Sequence, residues 1–424
     1  MKFTIKKLPK SKIELTIEVS TKELESFEKT AILNLGKEIK LEGFRPGHIP
    51  EDIIEKTIGK EKILAEAAEL AIKENYRKAI LENKIEPLGQ AEIEILKLAT
   101  GNPLEFKATV SVLPEIGLPD YKKIAASVKK KPVEIAEKEI DDSLLWLQKS
   151  RAKFSLKQEP SQKGDFLGIE YNSPQLENGK AFKDNFILGE GHFLPDFEKE
   201  LENLQNGAEK NFSVKFPKNH SQKDLAGKDV DFKVKVNSVQ KMELPEINDE
   251  FAKNLGNFEN TEALKKSIRE GLDVEKENEE KQRVRQEILD KISQNSNFEI
   301  PDILIESEKH HVLEDLKARV SQGLQISFED YLSKIGKSEK ELLDSFASQA
   351  EKRVRDSLVL REIGKKENIS VSEKESAEEI NKILMRYPDI KKAEAEIDLA
   401  NLKAYTEEVI RNEKTFQLLE SFIR

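Results

Sequence analysis

Asn185-Phe-Ile-Leu-Gly-Glu-Gly-His-Phe-Leu-Pro-Asp-Phe-Glu198 is the stretch on which the architecture turns. It reads as a strand end, a glycine turn, an apolar pair and then Pro195-Asp196, the acidic opening of a short helix that ends near Gly207. Phe186, Phe193 and Phe197 fall within it, and Phe182, Phe212 and Phe232 lie nearby. A domain of this size needs fewer rings for its core alone. Each ring therefore has two readings, as core or as the lining of an apolar cleft on a sheet, and the residues alone leave both open.

Outward from this stretch, Asp165 to about Gln240 is dominated by glycine, phenylalanine and period-two alternation: Phe212, Val214, Phe216, then Val230, Phe232, Val234 and Val236. That pattern predicts a small strand-rich domain. Before it, Glu134 to Lys153 reads as a helix with Ile140, Leu144, Leu145 and Leu147 on its apolar side. This helix carries the only tryptophan, Trp146, expected to serve in a core or in docking. Prolines 114, 119 and 132 make the preceding segment an extended linker.

At the amino end, Ile13, Leu15, Ile17 and Val19 alternate with Glu14, Thr16 and Glu18, the signature of a half-buried strand. Ser20 and Glu23 then form a capping-box pattern that opens a helix. Pro50-Glu51-Asp52 opens a second helix, and a longer one is expected over about Glu61 to Asn83. Two more strands follow, around Ile93–Ile95 and Leu104–Val110. After Leu244-Pro245 the chain reverts to charged helix. Ser338/Glu341 and Ser372/Glu375 repeat the capping-box spacing, Pro301-Asp302 opens a helix, and Gly364 is read as closing one. The fold class is multidomain α+β: an α+β domain at 1–112, a linker and helix at 113–153 packing with the carboxy-terminal part, an antiparallel-sheet insert at 154–243, and an extended helical domain at 244–424.

Composition narrows the function classes. At 424 residues the chain exceeds one ordinary core. A charged fraction of 36% is above the roughly one quarter usual in soluble domains and suits long solvated helices. The net charge of −10 makes it a poor general binder of nucleic acid, so any RNA contact must be local. Without cysteine there are no disulfides or thiolate metal sites. The start lacks the apolar run of a signal peptide and no window reaches the length of a membrane span, so a soluble cytoplasmic protein with no membrane contact is expected. His310 and His311 are adjacent on a helix and cannot hold one metal from a single face. No Walker loop, dinucleotide fingerprint, HExxH or nucleophile elbow occurs. No metal and no cofactor is expected.

Two resemblances add to this reading. Gly179-Lys180-Ala181-Phe182, Phe186-Ile-Leu-Gly189, Phe193-Leu-Pro-Asp-Phe197-Glu198, Gly207 and Asp231-Phe232-Lys-Val-Lys-Val236 resemble the FKBP-type peptidyl-prolyl isomerase fold. The resemblance implies that Tyr171, Phe182, Phe193, Leu194, Phe197 and Phe232 line a proline pocket. Asp196 stands where the family has glycine before its aromatic floor residue. Lys183 replaces a frequent acid, and His220 a frequent tyrosine; these departures bear on the efficiency of the isomerase.

Between the first two helices lies Glu42-Gly43-Phe44-Arg45-Pro46-Gly47-His48-Ile49-Pro50. Gly43 to Pro50 closely resembles the ribosome-docking signature G-F-R-x-G-x-x-P of the trigger factor family of bacterial ribosome-associated chaperones. That family continues with an FKBP-type domain and a helical remainder, as this chain does. The resemblance implies that Gly43, Phe44, Arg45, Pro46 and Gly47 dock on a large-subunit protein and rRNA near the exit tunnel, that unfolded nascent chains are the clients, and that the free chain could form a homodimer. Pro46 stands where a lysine is frequent, so one positive charge is lost. Apolar residues at helical period over Ile303–Val320 and at Leu342, Leu343, Phe346, Val354 and Leu358 have two readings, client patches or helix packing. Two rival functions remain at this stage: a stand-alone isomerase with localising flanks, and a free assembly chaperone not bound to ribosomes.

Overall fold

The structure, a computed structural model, describes residues 2–38, 49–176, 179–220, 225–324, 326–385 and 397–423. The chain divides into two compact units, one formed by Met1–Lys130 with Lys281–Arg424 and the other by Lys131–Glu280.

The first unit opens on an antiparallel sheet in the order β1 (Lys2–Leu8), β2 (Lys12–Val19), β4 (Leu104–Val112), β3 (Pro87–Lys97). Strand β1 is missed by the sequence reading, because lysines interrupt its apolar positions. In β2 and β4 the period-two pattern places Ile17 opposite Phe106 and Leu15 opposite Ala108, all fully buried. Against this face pack α1 (Thr21–Glu38), α2 (Glu51–Ile58) and α3 (Lys60–Glu82). Helix α3 presents the small residues Ala67, Ala68, Ala71 and Ala79 to the core, which allows close approach to its neighbours. The expected capping box forms: Ser20 N–H donates to Glu23, and Glu23 N–H donates to the Ser20 hydroxyl at 3.4 Å.

The expected linker is not extended throughout. A helix α4 (Tyr121–Ser127) forms directly after Pro119, capped by Asp120, whose carboxylate accepts the Lys123 N–H at 3.2 Å. Proline before a helix start is compatible with helix, and the buried Tyr121 and Ala125 stabilise this turn. They join Val284, Ile288, Ile292, Val359, Ile363 and Leu419 in one cluster. Those partners lie on α8 (Thr261–Gln294), α12 (Ala347–Lys366) and α14 (Leu399–Glu420).

Gly364 does not close a helix. It is buried inside α12, and a Cβ there would meet Thr415 Oγ1 on α14 at 3.0 Å, so the glycine permits two helices to approach. Beside this contact Arg285 is buried between Glu413, at 2.7 Å, and Glu420. The Arg285 guanidinium holds the Glu413 carboxyl down at about 2. Helices α9 (Asp302–Arg319), α10 (Phe328–Ile335), α11 (Glu339–Ser345) and α13 (Glu373–Leu384) complete this unit among the described residues. The capping boxes Ser338/Glu341 and Ser372/Glu375 form as expected. Val312, Leu313, Val320, Leu342, Val354 and Leu358 are buried, which places most of that periodic apolar set in helix packing.

The second unit holds α5 (Glu137–Ser150), a five-stranded antiparallel sheet, the short helices α6 (Pro195–Glu200) and α7 (Asp249–Leu255), and the beginning of α8. The sheet is organised on the 15-residue strand β9 (Asp229–Glu243). Along its length β9 pairs with β8 (Glu209–Lys215), β6 (Phe166–Asn172) and β5 (Lys153–Leu156), and β6 pairs outward with β7 (Phe182–Ile187). A bulge between Gly168 and Ile169 shifts the register, so burial passes from Val236 to Val239 instead of Ser238. Trp146 is 68% exposed, so it is not a core residue. Ile140 and Leu144 are the buried face of α5, while Leu145 points outward.

Candidate functional site

The β6–β7 pairing sets Tyr171 directly opposite Phe182, and the two rings stack at 5.6 Å. Phe232 on β9 faces Phe212 on β8 across a ladder. Helix α6 lowers Phe197 onto this sheet: its ring lies 5.0 Å from Phe232, 5.2 Å from Phe212 and 4.5 Å from Phe193. Tyr171 is within 5.4 Å of Phe193, 6.0 Å of Phe197 and 6.4 Å of Phe232. Leu194 packs against the same cluster. All six positions expected to line a pocket are therefore brought together. Phe197 and Phe232 are buried, while Tyr171, Phe182, Phe193 and Leu194 are only half-buried. Both readings of the phenylalanines hold, divided between floor and rim.

Two carboxylates organise this cluster, and the sequence reading assigned neither. Lys183, at the position where an acid is frequent, is exposed and pairs with Glu170 at 3.6 Å. The next residue supplies the acid instead, because residues i and i+2 of a strand share a face and Asp184 therefore lies on the side of Phe182. Asp184 Oδ2 accepts the Tyr171 hydroxyl at 3.1 Å. Burial, and then the neighbouring Asp184, push the Tyr171 phenol up to about 12, so it remains a neutral donor at ordinary pH. His192 Nε2 lies 3.8 Å from Asp184 Oδ1, and its ring stacks on Phe186 at 5.4 Å.

The second acid is Glu198, 5% exposed and adjacent in sequence to Phe197. Its carboxylate accepts the backbone N–H groups of Gly189 at 2.8 Å, Gly191 at 3.4 Å and Phe193 at 2.9 Å. A turn that places donors inward needs φ of +92° at Gly189 and +78° at Gly191, which glycine adopts without strain. This arrangement satisfies three part-buried donors and fixes the backbone that carries Phe193. The signal was present in the opening stretch, where two glycines precede an acid at the start of a short helix.

Asp196 is exposed in the first turn of α6, outside the cluster. His220 packs edge-on against Phe216 at 4.8 Å, and Phe216 stacks over Phe232 at 6.3 Å. The loop positions Gly43, Phe44, Arg45, Pro46 and Gly47 lie outside the described residues.

Comparison with known proteins follows this geometry closely. The family model "FKBP-type peptidyl-prolyl cis-trans isomerase" matches residues 157–237, the segment that holds the aromatic cluster. "Bacterial trigger factor protein (TF)" matches residues 1–145 and "Bacterial trigger factor protein (TF) C-terminus" residues 260–420. A trigger factor of Caldicellulosiruptor saccharolyticus is 32% identical over 417 residues, covering 97% of this chain and 94% of the relative. One of Caldicellulosiruptor bescii is 34% identical over 391 residues, covering 91% and 89%.

The chain belongs to the trigger factor family.

A solved structure described as "Promiscuous Substrate Recognition in Folding and Assembly Activities of the Trigger Factor Chaperone" shares the fold over 99% of both chains, with a TM-score of 0.50 and 20% identity. Membership makes this chain a ribosome-associated chaperone with an FKBP-type peptidyl-prolyl isomerase domain. Among the described residues no helix is long and apolar enough to cross a membrane.

Proposed function

We propose that Tyr171, Phe182, Phe193, Leu194, Phe197 and Phe232 are the isomerase site, and that Gly43 to Gly47 is the contact with the ribosome. The observation that carries the first assignment is the aromatic cluster with a buried floor, Phe197 and Phe232, and a half-open rim. Rotation about an X–Pro bond faces a barrier of about 18–20 kcal/mol, largely from amide resonance. An apolar pocket needs no acid or base to lower it. It binds the twisted imide, whose resonance is broken, better than either planar isomer. The Tyr171 hydroxyl donates its one proton to Asp184, and this bond fixes the ring that stands at the rim of the cluster.

At the other site, Arg45 suits an rRNA phosphate or a carboxylate of a large-subunit protein near the exit tunnel, and Phe44 offers a stacking face. By residue type, Gly43 and Gly47 permit backbone angles that other residues avoid and Pro46 restricts its own, which lowers the ordering cost of docking. Domain limits at 1–112, 113–153, 154–243 and 244–424, cytoplasmic residence and a homodimer of the free chain belong to the same reading. Changing Phe44 and Arg45 together to alanine is expected to abolish co-sedimentation with ribosomes without altering the circular dichroism spectrum. Undiminished co-sedimentation would refute the loop assignment. Tetrapeptide isomerisation by the same variant should stay at the wild-type rate, because the two sites are distinct.

A further inference from the structure

Trp146 is the only tryptophan in the chain, and it lies largely in solvent on α5. It is not an isolated exposed ring. On one side Trp146 and Leu147 wall a groove of about 580 Å³ floored by Leu255, Phe258, Leu264 and Ile268. That floor is the outer edge of the cluster built on Ile140, Leu144 and Phe251. On the other side the same two residues border a second depression of about 460 Å³, reached by Asp142 and Ser143. The indole is thus a ridge between two apolar hollows of one unit.

The size of the feature selects its occupant. Each volume falls in the range of roughly 300–1,000 Å³ typical of clefts that take small ligands or side chains. Nine residues line the first hollow and the second adds only Asp142 and Ser143. A stable interface with a folded partner or a second copy needs about 20–30 residues a side. A short extended segment fits; a folded surface does not.

Charge sets its direction. Arg151 lines the first hollow and Asp142 the second, and neither has an ion partner among the described residues. Nine helical steps separate them by about 13 Å along the axis of α5 and by half a turn around it, so they lie on opposite sides of the helix. Two of the three hydroxyls nearby are engaged with their own helix: Ser150 Oγ donates to Leu147 O at 2.7 Å and Ser143 Oγ to Glu139 O at 2.8 Å, while Ser267 also lines the first hollow. Recognition here is therefore apolar across the hollows with a cation beside the first at Arg151, which tolerates many sequences.

We propose that this double groove docks unfolded polypeptide as an extended segment with two bulky apolar side chains and an acidic residue at the Arg151 end. The proposal rests on the chaperone function and names a site for it outside the isomerase cluster.

The single tryptophan makes the test direct, since intrinsic emission of the full-length chain reports this groove alone. Titration with a tryptophan-free dodecapeptide carrying two leucines followed by glutamates at one end only should give a saturable blue shift. Arg151→Glu should weaken that binding at least fivefold and bind the same peptide with lysines in place of glutamates more tightly than the wild type does. Three results would each overturn the proposal. The first is calorimetric binding of the peptide with no change in Trp146 emission. The second is a blue shift that follows protein concentration without peptide, which would mean that a second copy docks here. The third is an Arg151→Glu variant, folded by circular dichroism, that treats both peptides as the wild type does. A separate assay, suppression of aggregation of an unfolded client, reports the chaperone function itself. If suppression persists while Trp146 stays silent, only the groove assignment falls.

Discussion

In the first sheet Phe106 is fully buried in a cluster closed by α1 and α3, helices of 18 and 23 residues. In the second sheet Tyr171 and Phe193 stay half-buried beside α6, a helix of six residues. Both sheets are antiparallel and both carry an apolar face. The long covers seal their face with aliphatic and alanine side chains, and the result is a scaffold. The short cover reaches only far enough to place Phe197, and the rings around it remain accessible. How much helix is laid over a sheet decides here whether its apolar face becomes a sealed core or stays partly open.

That contrast can be broken experimentally. Phe106→Ala, in the sealed cluster, is expected to cost about 3–5 kcal/mol of stability by denaturant unfolding and to leave tetrapeptide isomerisation within about twofold. A large loss of isomerisation in the folded variant would mean that the scaffold and the site are not separable. Phe193→Ala, at the open rim, should behave in the opposite way. Its kcat/KM should fall about 100-fold, or ~2.7 kcal/mol in transition-state binding, while stability changes by only about 1 kcal/mol. Equal penalties from the two variants would erase the distinction between core and rim.

Glu198→Gln sharpens the comparison from inside the site. Replacing one acceptor oxygen with an amide weakens the charge-assisted bonds from the part-buried N–H groups of the 189–193 turn, a loss of about 1–3 kcal/mol. Amide hydrogen exchange at Gly189 and Phe193 should accelerate, and unchanged protection would show that the turn holds without the carboxylate.

The smallest effect belongs to the first unit, where α14 is tied by charge as well as by packing. Glu413 has its pKa depressed to about 2 by Arg285. A depressed acid contributes stability above its unfolded pKa, near 4.5, and loses it as pH falls towards the folded value. With Glu413 part-exposed, solvent screening reduces the contribution to about 1 kcal/mol. Thermal unfolding between pH 5 and pH 3 should show the wild type losing its advantage over Glu413→Gln as the solution is acidified. A constant gap between the two would remove the ion pair from the account.

Much of this could be read from residue order, and for identifiable reasons. Strand alternation at Ile13–Val19 and Val230–Val236 and the capping boxes at Ser20, Ser338 and Ser372 are local signals, set by neighbours two to four residues away. Tyr171, Phe182, Phe193, Leu194, Phe197 and Phe232 were singled out through their resemblance to a family, and the sheet register explains why these six converge. What escaped depends on distant partners. Gly364 looks like a helix end until Thr415, far along the chain, occupies the space that a side chain would need. Helix α4 looks like linker until Tyr121 finds its cluster. Asp184 was hidden by a single step of strand parity beside Lys183. The exposure of Trp146 was also beyond local reading, because an apolar stripe does not say which of its members the neighbours leave uncovered.

The cluster that joins Tyr121 and Ala125 to Leu419 has a consequence in time. A ribosome adding about 5–20 residues per second delivers Leu419 roughly 15–60 s after Tyr121. Through that interval α4 lacks its final partner, and its unit cannot be completed before the last helix emerges. The segment Lys131–Glu280, by contrast, is continuous in sequence and has all its parts once Glu280 is made. A chain whose work is to attend unfinished polypeptides therefore leaves one of its own units unfinished until Leu419 is made.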